Sequence, residues 1–314
     1  MQLESFHIRN YKCFQELNIP KLRQVNLITG KNNTGKTILL EALRIWASEG
    51  DASVINNIIW MRGDWEEGAA MKTYASLFHK KKIDNNSAIA INGLDISPIF
   101  NKDRTHLDDL LKRRKGDTER YRVNMSSGNK EYPQDVAIYI PASIDFDNKK
   151  LWTDIDLTDK KDIVIQILQV IEPSIIDLGI IDNIARVRTK NSKTPVPLKN
   201  FGEGLNRLLT IAIALVSAEK RLLLIDEIDT GLHYTVLEKL WEIIFEYAQK
   251  LDTQVFVTTH SGDCLDAFSA VANRARFQGL GNYFRLSQKD EGIVAVDYDI
   301  KELEMALESN IETR

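Results

Sequence analysis

The stretch ITGKNNTGKTILLEAL, residues 28–43, constrains the fold more than any other part of the chain. An apolar run ends in Gly30, and the spacing G-x-x-x-x-G-K-T then closes with Gly35, Lys36 and Thr37. Such a loop needs a buried strand before it and a helix after it, because backbone N–H groups at the helix start hold phosphate oxygens. The flanking segments QVNLITG and ILLEAL have the apolar patterns of a strand and a helix. The predicted fold class is therefore α/β, with a phosphate-binding loop.

The loop contains each type of group that a nucleoside triphosphate requires. Glycines let the backbone curl around the phosphates, Lys36 is expected to reach the β and γ phosphates, and the Thr37 hydroxyl is expected to coordinate Mg²⁺. The expected nucleotide-binding residues here are Gly30, Asn32, Asn33, Thr34, Gly35, Lys36 and Thr37.

A second, acidic motif, LLLIDEID, lies in the last third of the chain. Its apolar run predicts a buried strand that ends in Asp226 and Glu227, at the edge where α/β sheets bind ligands. We expect Asp226 to hold Mg²⁺ and Glu227 to orient or deprotonate the attacking water. A GTPase would carry N-K-x-D, whereas NKDR at Asn101 places its aspartate one position early. ATP and Mg²⁺ are therefore the expected ligands.

Two further motifs flank this acidic pair in the sequence. NFGEGLNRLL, before the pair, puts Gly202 and Gly204 at the start of a predicted helix. VFVTTHS, after the pair, ends a buried strand in His260. This order resembles the ABC-type ATPases, which carry a Walker A loop, a signature motif, a Walker B strand and a switch histidine in that sequence.

The resemblance implies roles for these positions. In ABC-type ATPases two heads meet head to tail, and each signature motif closes on the nucleotide of the other head. By this likeness Gly202, Glu203 and Gly204 form the signature, Asp229 belongs to the D-loop, and His260 contacts the γ phosphate as a catalytic residue beside Glu227 and Lys36. The tripeptide Gly202-Glu203-Gly204 lacks the serine of the common signature. No glutamine in the sequence can be assigned to the Q-loop.

Within this superfamily the motifs look most like the RecF-like and OLD-like ATPases. The likeness covers nearly the whole chain outside residues 51–134. SMC-like repair ATPases carry long coiled coils between Walker A and the signature, but the segment from Lys36 to Gly202 is short and has no heptads. OLD proteins add a Toprim nuclease, for which the segment after His260 is too short.

The chain is expected to divide into an ABC-type core and an insertion. Residues 1–50 and 135–314 form the predicted core, a mainly parallel sheet with helices on both faces, which includes a helical subdomain at about 157–185. Residues 51–134 are polar and loop-rich and are expected to form an inserted α+β lobe. Near the end, a hairpin across residues 289–292 and a closing helix are predicted.

Composition limits where the protein acts and what it binds. A hydrophobic content of 43% with 27% charged residues is typical of a globular protein, and polar residues interrupt the longest apolar segment, residues 163–181, so no membrane span is expected. The N-terminus lacks a leader pattern, and a cytoplasmic location is expected.

The resemblance implies a homodimer or higher homo-oligomer, with a separately encoded nuclease or toxin as an effector. DNA stays an alternative partner, because HKKK at 79–82 and KRRK at 112–115 could contact phosphates. A transporter ATPase subunit is a third interpretation.

Overall fold

A computed structural model describes residues 2–66, 70–82, 87–98, 111–115, 118–120, 137–142, 148–181, 184–192, 194–301 and 303. In these residues the α-helices are α1 Lys36–Ala47, α2 Ala52–Met61, α3 Ala70–Ala75, α4 Asn148–Ile155, α5 Lys160–Gln169, α6 Glu203–Ser217, α7 Tyr234–Lys250 and α8 Gly262–Ala272. The strands are β1 Phe6–Tyr11, β2 Phe14–Ile19, β3 Val25–Gly30, β4 Ile89–Ile91, β5 Leu94–Pro98, β6 Leu111–Lys115, β7 Thr118–Arg120, β8 Ala137–Ile140, β9 Ile175–Ile181, β10 Ile184–Thr189, β11 Val196–Pro197, β12 Leu222–Ile225, β13 Gln254–Thr258, β14 Gly281–Lys289 and β15 Gly292–Tyr298. Short 3-10 helices span His79–Lys81, Leu198–Phe201 and Ala275–Phe277.

The central sheet is mainly parallel, as the sequence predicted. Its order is β15-β14-β3-β13-β12-β8, and every neighbouring pair from β14 to β8 is parallel, whereas β15 is antiparallel to β14. All residues of β3, β12 and β13 are buried, which explains their continuous apolar runs, since parallel strands are covered on both faces.

The two faces of this sheet pack against different layers. Because side chains alternate along a strand, Leu223 and Ile225 join a hydrophobic cluster with α6, α7 and α8, whereas Leu222 and Leu224 join a cluster with α1 and α2. The second cluster also includes the buried faces of β1, β2, β4 and β5. The expected helices therefore lie on both faces, and a second sheet shares one face with α1.

That second sheet corrects one expectation. The segment LESFHIRNYKCF contains β1 and the first residue of β2, which form an antiparallel hairpin because the chain turns at Lys12, where φ is 47°. β4, from the expected insertion, pairs with β1 and begins the sheet order β2-β1-β4-β5-β6-β7. Residues 87–98 thus continue the N-terminal sheet and do not form a sheet of their own. Asn101 lies outside the described residues, as do the side chains of 112–115.

The expected helical subdomain at 157–185 is only partly helical. α5 ends at Gln169, and the apolar residues after Pro173 form β9, which pairs with β10 in a three-stranded antiparallel sheet with β11. The prediction of a helical subdomain over residues 157–185 was therefore wrong in its second half. The sequence IIDLGII has four isoleucines, and β-branched residues favour strands over helices.

The end of the described chain agrees with the predicted hairpin. β14 and β15 pair antiparallel, with Lys289 opposite Gly292. Most of the predicted closing helix lies outside the described residues. No helix in the described residues is long and apolar enough to cross a bilayer.

Candidate nucleotide site

The loop between β3 and α1 has the backbone geometry that its glycines permit. Gly30 has φ +146°, and a Cβ there would lie 2.5 Å from the carbonyl oxygen of Leu286. Gly35 has φ +91°, and its Cβ would lie 2.7 Å from both Cys13 Sγ and Phe14 Cζ. Both positions therefore exclude a side chain, on conformational and on steric grounds.

Lys36 lies inside the loop with its ammonium on backbone oxygens. Its Nζ donates to the carbonyls of Gly30 at 2.7 Å and Lys31 at 3.2 Å, and the residue is 6% exposed. Burial lowers the pKa of Lys36, and the carboxylates of Asp226 and Glu227 act in the opposite direction. The ammonium thus lies where phosphate oxygens could replace the two carbonyls.

The remaining loop residues shape the rim. Thr34 is buried, and its hydroxyl donates to the carbonyl of Lys31 at 2.8 Å. Asn33 has φ 66°, a left-handed conformation that asparagine tolerates better than most residues. Asn32 and Asn33 are exposed, so their polar groups are accessible to a ligand.

The side chain of Thr37, in the first turn of α1, contacts that of Asp226, which directly follows β12. The Thr37 hydroxyl donates to Asp226 Oδ2 at 2.8 Å, and the Thr258 hydroxyl donates to Asp226 Oδ1 at 2.5 Å. Asp226 is 4% exposed, and a buried carboxylate requires such donors. Hydroxyl and carboxylate oxygens are ligands that Mg²⁺ prefers, so this pair fits the expected ion. Thr258 was not singled out in the sequence.

Glu227 and His260 lie beside this pair and face solvent. Glu227 has φ 49°, and its N–H donates to the Thr258 hydroxyl at 2.9 Å. The distance from Glu227 Oε1 to His260 Nε2 is 3.7 Å, and the two side chains are 44% and 37% exposed. A strained, partly exposed carboxylate next to a buried one can contact a water that a ligand would bring.

The candidate signature residues lie at the start of α6. Gly202 has φ +101° and precedes the first turn, which Glu203 and Gly204 begin. A Cβ at Gly204 would lie 3.4 Å from the carbonyl oxygen of Gly231, so the signature turn contacts the segment after Walker B. In that segment Asp229 Oδ1 accepts a hydrogen bond from the Thr259 hydroxyl.

The structure thus brings Lys36, Thr37, Asp226, Glu227 and His260 into one group. Glu203, by contrast, lines a cavity of about 250 Å³ between α6 and the residues near Asn148 and Ile184. The described lining of that cavity includes none of the loop residues 30–37.

Two family models match overlapping parts of the chain. One, described as an AAA ATPase domain, matches residues 1–155, and one described as "AAA domain, putative AbiEii toxin, Type IV TA system" matches residues 140–265. The chain is 22% identical to a Helicobacter pylori protein named ATP/GTP phosphatase, with 98% of each chain covered.

Solved structures that share the fold include SMC heads. The crystal structure of an Smc head bound to the C-terminal winged-helix domain of ScpA aligns with a TM-score of 0.58 at 13% identity, covering 96% of this chain and 99% of that one. The SMC head domain from Thermotoga maritima aligns with a TM-score of 0.52 at 13% identity, covering 95% and 100%. The chain is a P-loop ATPase with an SMC-head-like fold. The RecF-like and OLD-like subgroup inferred from the motifs stays a prediction.

One buried cation of this ATPase was missed by sequence reasoning. Arg207, on α6, donates through Nη2 to the carbonyls of Asp226 at 3.0 Å and Glu227 at 3.2 Å, and through Nη1 to the carbonyl of Pro141 at 3.1 Å. It is 5% exposed, and burial lowers its pKa while the carboxylates of Asp226, Asp229 and Glu227 oppose that shift. Arg207 therefore connects the candidate signature helix to the backbone that carries the acidic pair. The only sequence signal was a charged residue on the buried face of an apolar helix.

Proposed function

We propose that the chain is a slow regulatory ATPase in which ATP and Mg²⁺ bound at the loop control the association of two copies. The observation that carries this proposal is the hydrogen bond between Thr37 and Asp226, which lie far apart in the chain. The Asp226 carboxylate also interacts electrostatically with the Lys36 ammonium and opposes the lowering of its pKa by burial. That combination suits the charge of a nucleoside triphosphate and its metal.

The mechanism assigns each residue one task. Thr37 and Asp226 would hold Mg²⁺, which neutralises charge on the β and γ phosphate oxygens, and Lys36 leaves its carbonyl partners to contact the same oxygens. Glu227 orients the attacking water and accepts its proton while the water oxygen bonds to the γ phosphorus and the bond to the β–γ bridging oxygen breaks. His260, 3.7 Å from Glu227, contacts the γ phosphate and so senses whether it is present.

Association of two copies would complete the site. The signature residues Gly202, Glu203 and Gly204 start a helix whose free N–H groups suit a phosphate, yet Glu203 lines a different cavity from the loop. A second copy of the chain, placed head to tail, would bring its signature and Asp229 to this loop. Phosphate charge would then be neutralised from both copies only in the closed state, which lets ATP drive a conformational switch.

The output of the switch is proposed to be a partner protein. The family model that matches residues 140–265 is described with a Type IV TA system, which supports a defence role. We propose a separately encoded nuclease or toxin as the effector. This part of the proposal rests on analogy.

Two substitutions test the proposed binding and hydrolysis of ATP. Lys36→Ala should abolish ATP binding, whereas Glu227→Gln should retain binding and accumulate an ATP-bound dimer, because ATP is held but not cleaved. Size-exclusion chromatography with light scattering, with and without ATP and Mg²⁺, measures the dimer, and phosphate release measures the activity. Chelation of Mg²⁺ by EDTA should abolish phosphate release. A Glu227→Gln protein that stays monomeric at saturating ATP and hydrolyses normally would refute the mechanism.

A second candidate is an ATPase that clamps duplex DNA, as the RecF-like resemblance implies. It is favoured by the exposed lysines Lys80, Lys81 and Lys82, on and just after a 3-10 helix. Duplex DNA should then stimulate hydrolysis, and neutralising these lysines should remove the stimulation and its salt dependence. Absence of any DNA effect would favour the protein partner. A transporter subunit, the third interpretation, would copurify with a membrane protein.

A further inference from the structure

The strand order of the central sheet indicates which end of a bound nucleotide lies on which side of the loop. β13 and β12 lie on one side of β3 and carry Thr258, Asp226 and Glu227 at or just beyond their ends, while β14 lies on the other side. The terminal phosphate must face the acidic side, because the metal ligands and the carboxylate that activates water are there. A nucleoside that extends away from the acidic side would lie on the side of β14.

A cavity lies at that place. It has a volume of about 520 Å³, within the range of about 300–1,000 Å³ typical of small-ligand sites. Its described lining consists of the loop tip and the end of β14: Lys31, Asn32, Asn33, Thr34, Arg285, Leu286, Ser287 and Gln288. None of the β14 residues was expected to contact a nucleotide from the sequence.

The two sides of the cavity are rigidly connected. β14 runs parallel to β3 with Leu286 opposite Gly30, and the backbones are so close that a Cβ on Gly30 would lie 2.5 Å from the Leu286 carbonyl oxygen. Arg285 Nε donates to the Ser287 hydroxyl at 3.0 Å, which orients the guanidinium. Side chains that bind a ligand well are held on regular elements in this way.

The chemistry of these side chains suits a nucleobase. A guanidinium is planar and stacks on bases as aromatic rings do, and the described lining residues include no aromatic ring. The exposed Gln288 amide donates one N–H to the Lys289 carbonyl at 3.0 Å and offers its second N–H and its acceptor oxygen to a ligand. We propose that this cavity holds the nucleoside of the bound nucleotide, with the Arg285 guanidinium against the base and the Gln288 amide at its polar edge. This inference rests on the nucleotide site proposed above.

Calorimetric titration with ADP and with inorganic pyrophosphate, both with Mg²⁺, tests the assignment without hydrolysis. Pyrophosphate needs only the loop, whereas ADP also needs the nucleoside cavity. Arg285→Ala should weaken ADP binding about tenfold or more, since base stacking contributes roughly 1–3 kcal/mol, and should leave pyrophosphate binding unchanged. Arg285→Lys should also weaken ADP binding, because an ammonium keeps the charge but lacks the planar face. Gln288→Ala should reduce ADP affinity to a smaller extent.

Matched controls separate this inference from the proposed function. Lys289→Ala, at the next exposed position of β14, should bind both ligands like the wild type, and Lys36→Ala should lose both. If the wild type binds neither ligand, the proposed nucleotide site is wrong. If the wild type binds ADP and Arg285→Ala binds it equally well, or loses pyrophosphate to the same degree, the nucleoside assignment is overturned. Melting temperatures of all variants verify that they fold.

Discussion

Replacing Arg207 with lysine tests how the signature helix is connected to the acidic pair. The guanidinium donates three hydrogen bonds, at 3.0–3.2 Å, to the carbonyls of Pro141, Asp226 and Glu227. A lysine ammonium keeps the charge but can reach about one of these carbonyls from the same position on α6. Two charge-assisted hydrogen bonds are lost, at about 1.5 kcal/mol each by a low estimate. We therefore expect Arg207→Lys to lower the free energy of unfolding by about 3 kcal/mol.

The corresponding change in melting temperature can be measured by calorimetry. At about 2.1 cal/mol/K per residue, the unfolding entropy of a 314-residue chain is about 0.66 kcal/mol/K, so Tm should fall by about 5 °C. A merely structural residue would affect stability alone. Because Arg207 holds the backbone of Glu227, the proposed catalytic carboxylate, kcat for ATP should also fall, about tenfold or more, since small displacements of a reacting group are costly.

The binding of ATP should change little, because no hydrogen bond of Arg207 involves the loop. Arg188→Lys is the matched control: its side chain is 51% exposed, and the effect on unfolding should stay within about 0.5 kcal/mol, as for most surface substitutions. An Arg207→Lys protein with an unchanged Tm and wild-type kcat would contradict the connection. A protein with a lowered Tm but unchanged kcat would restrict Arg207 to a structural role.

Three other changes have defined outcomes. Gly35→Ala should abolish ADP binding in a calorimetric titration, because the new Cβ would lie 2.7 Å from Cys13 Sγ; wild-type affinity would contradict the loop geometry. Thr258→Val removes the donor to Asp226 at 2.5 Å and should reduce phosphate release and cost about 2 kcal/mol or more of stability, whereas Thr258→Ser should restore both. Burial raises the pKa of the Cys13 thiol to about 11 and that of Cys264 to about 12, so at pH 8 about one Cys13 in a thousand or fewer is a thiolate. Mass spectrometry should find both thiols resistant to iodoacetamide until the protein is denatured, and rapid alkylation of the folded chain would contradict the burial of Cys264 and the partial burial of Cys13.

Elements with strong local patterns were predicted correctly from the sequence. β12 and β13 lie where the sequence predicted buried strands, and α6 begins at the glycines that predicted a helix start, because long apolar runs and helical periodicity are properties of a short window. The segment after Pro173 was wrongly predicted as helical, because the periodicity of a short apolar run does not distinguish a buried helix from a strand. Only pairing with β10 makes it a strand.

The sequence by itself determined the chemistry of the loop. Gly30, Gly35, Lys36 and Thr37 are fixed by a spacing that serves phosphate, and the acidic pair at Asp226 follows from a short apolar run. Their roles depend on backbone geometry over a few residues, which nearby sequence controls.

Only the tertiary structure decided which distant groups surround that loop. The approach of Thr258 to Asp226, of Arg207 to the same strand end, and of Arg285 to the loop tip each depends on which strands are neighbours in the sheet. That order arises from crossovers and from the burial of both faces, and no spacing in the sequence encodes it directly. The phosphate end of the site can therefore be predicted from the sequence. The proposed nucleoside end cannot, because it forms only when β14 lies next to β3.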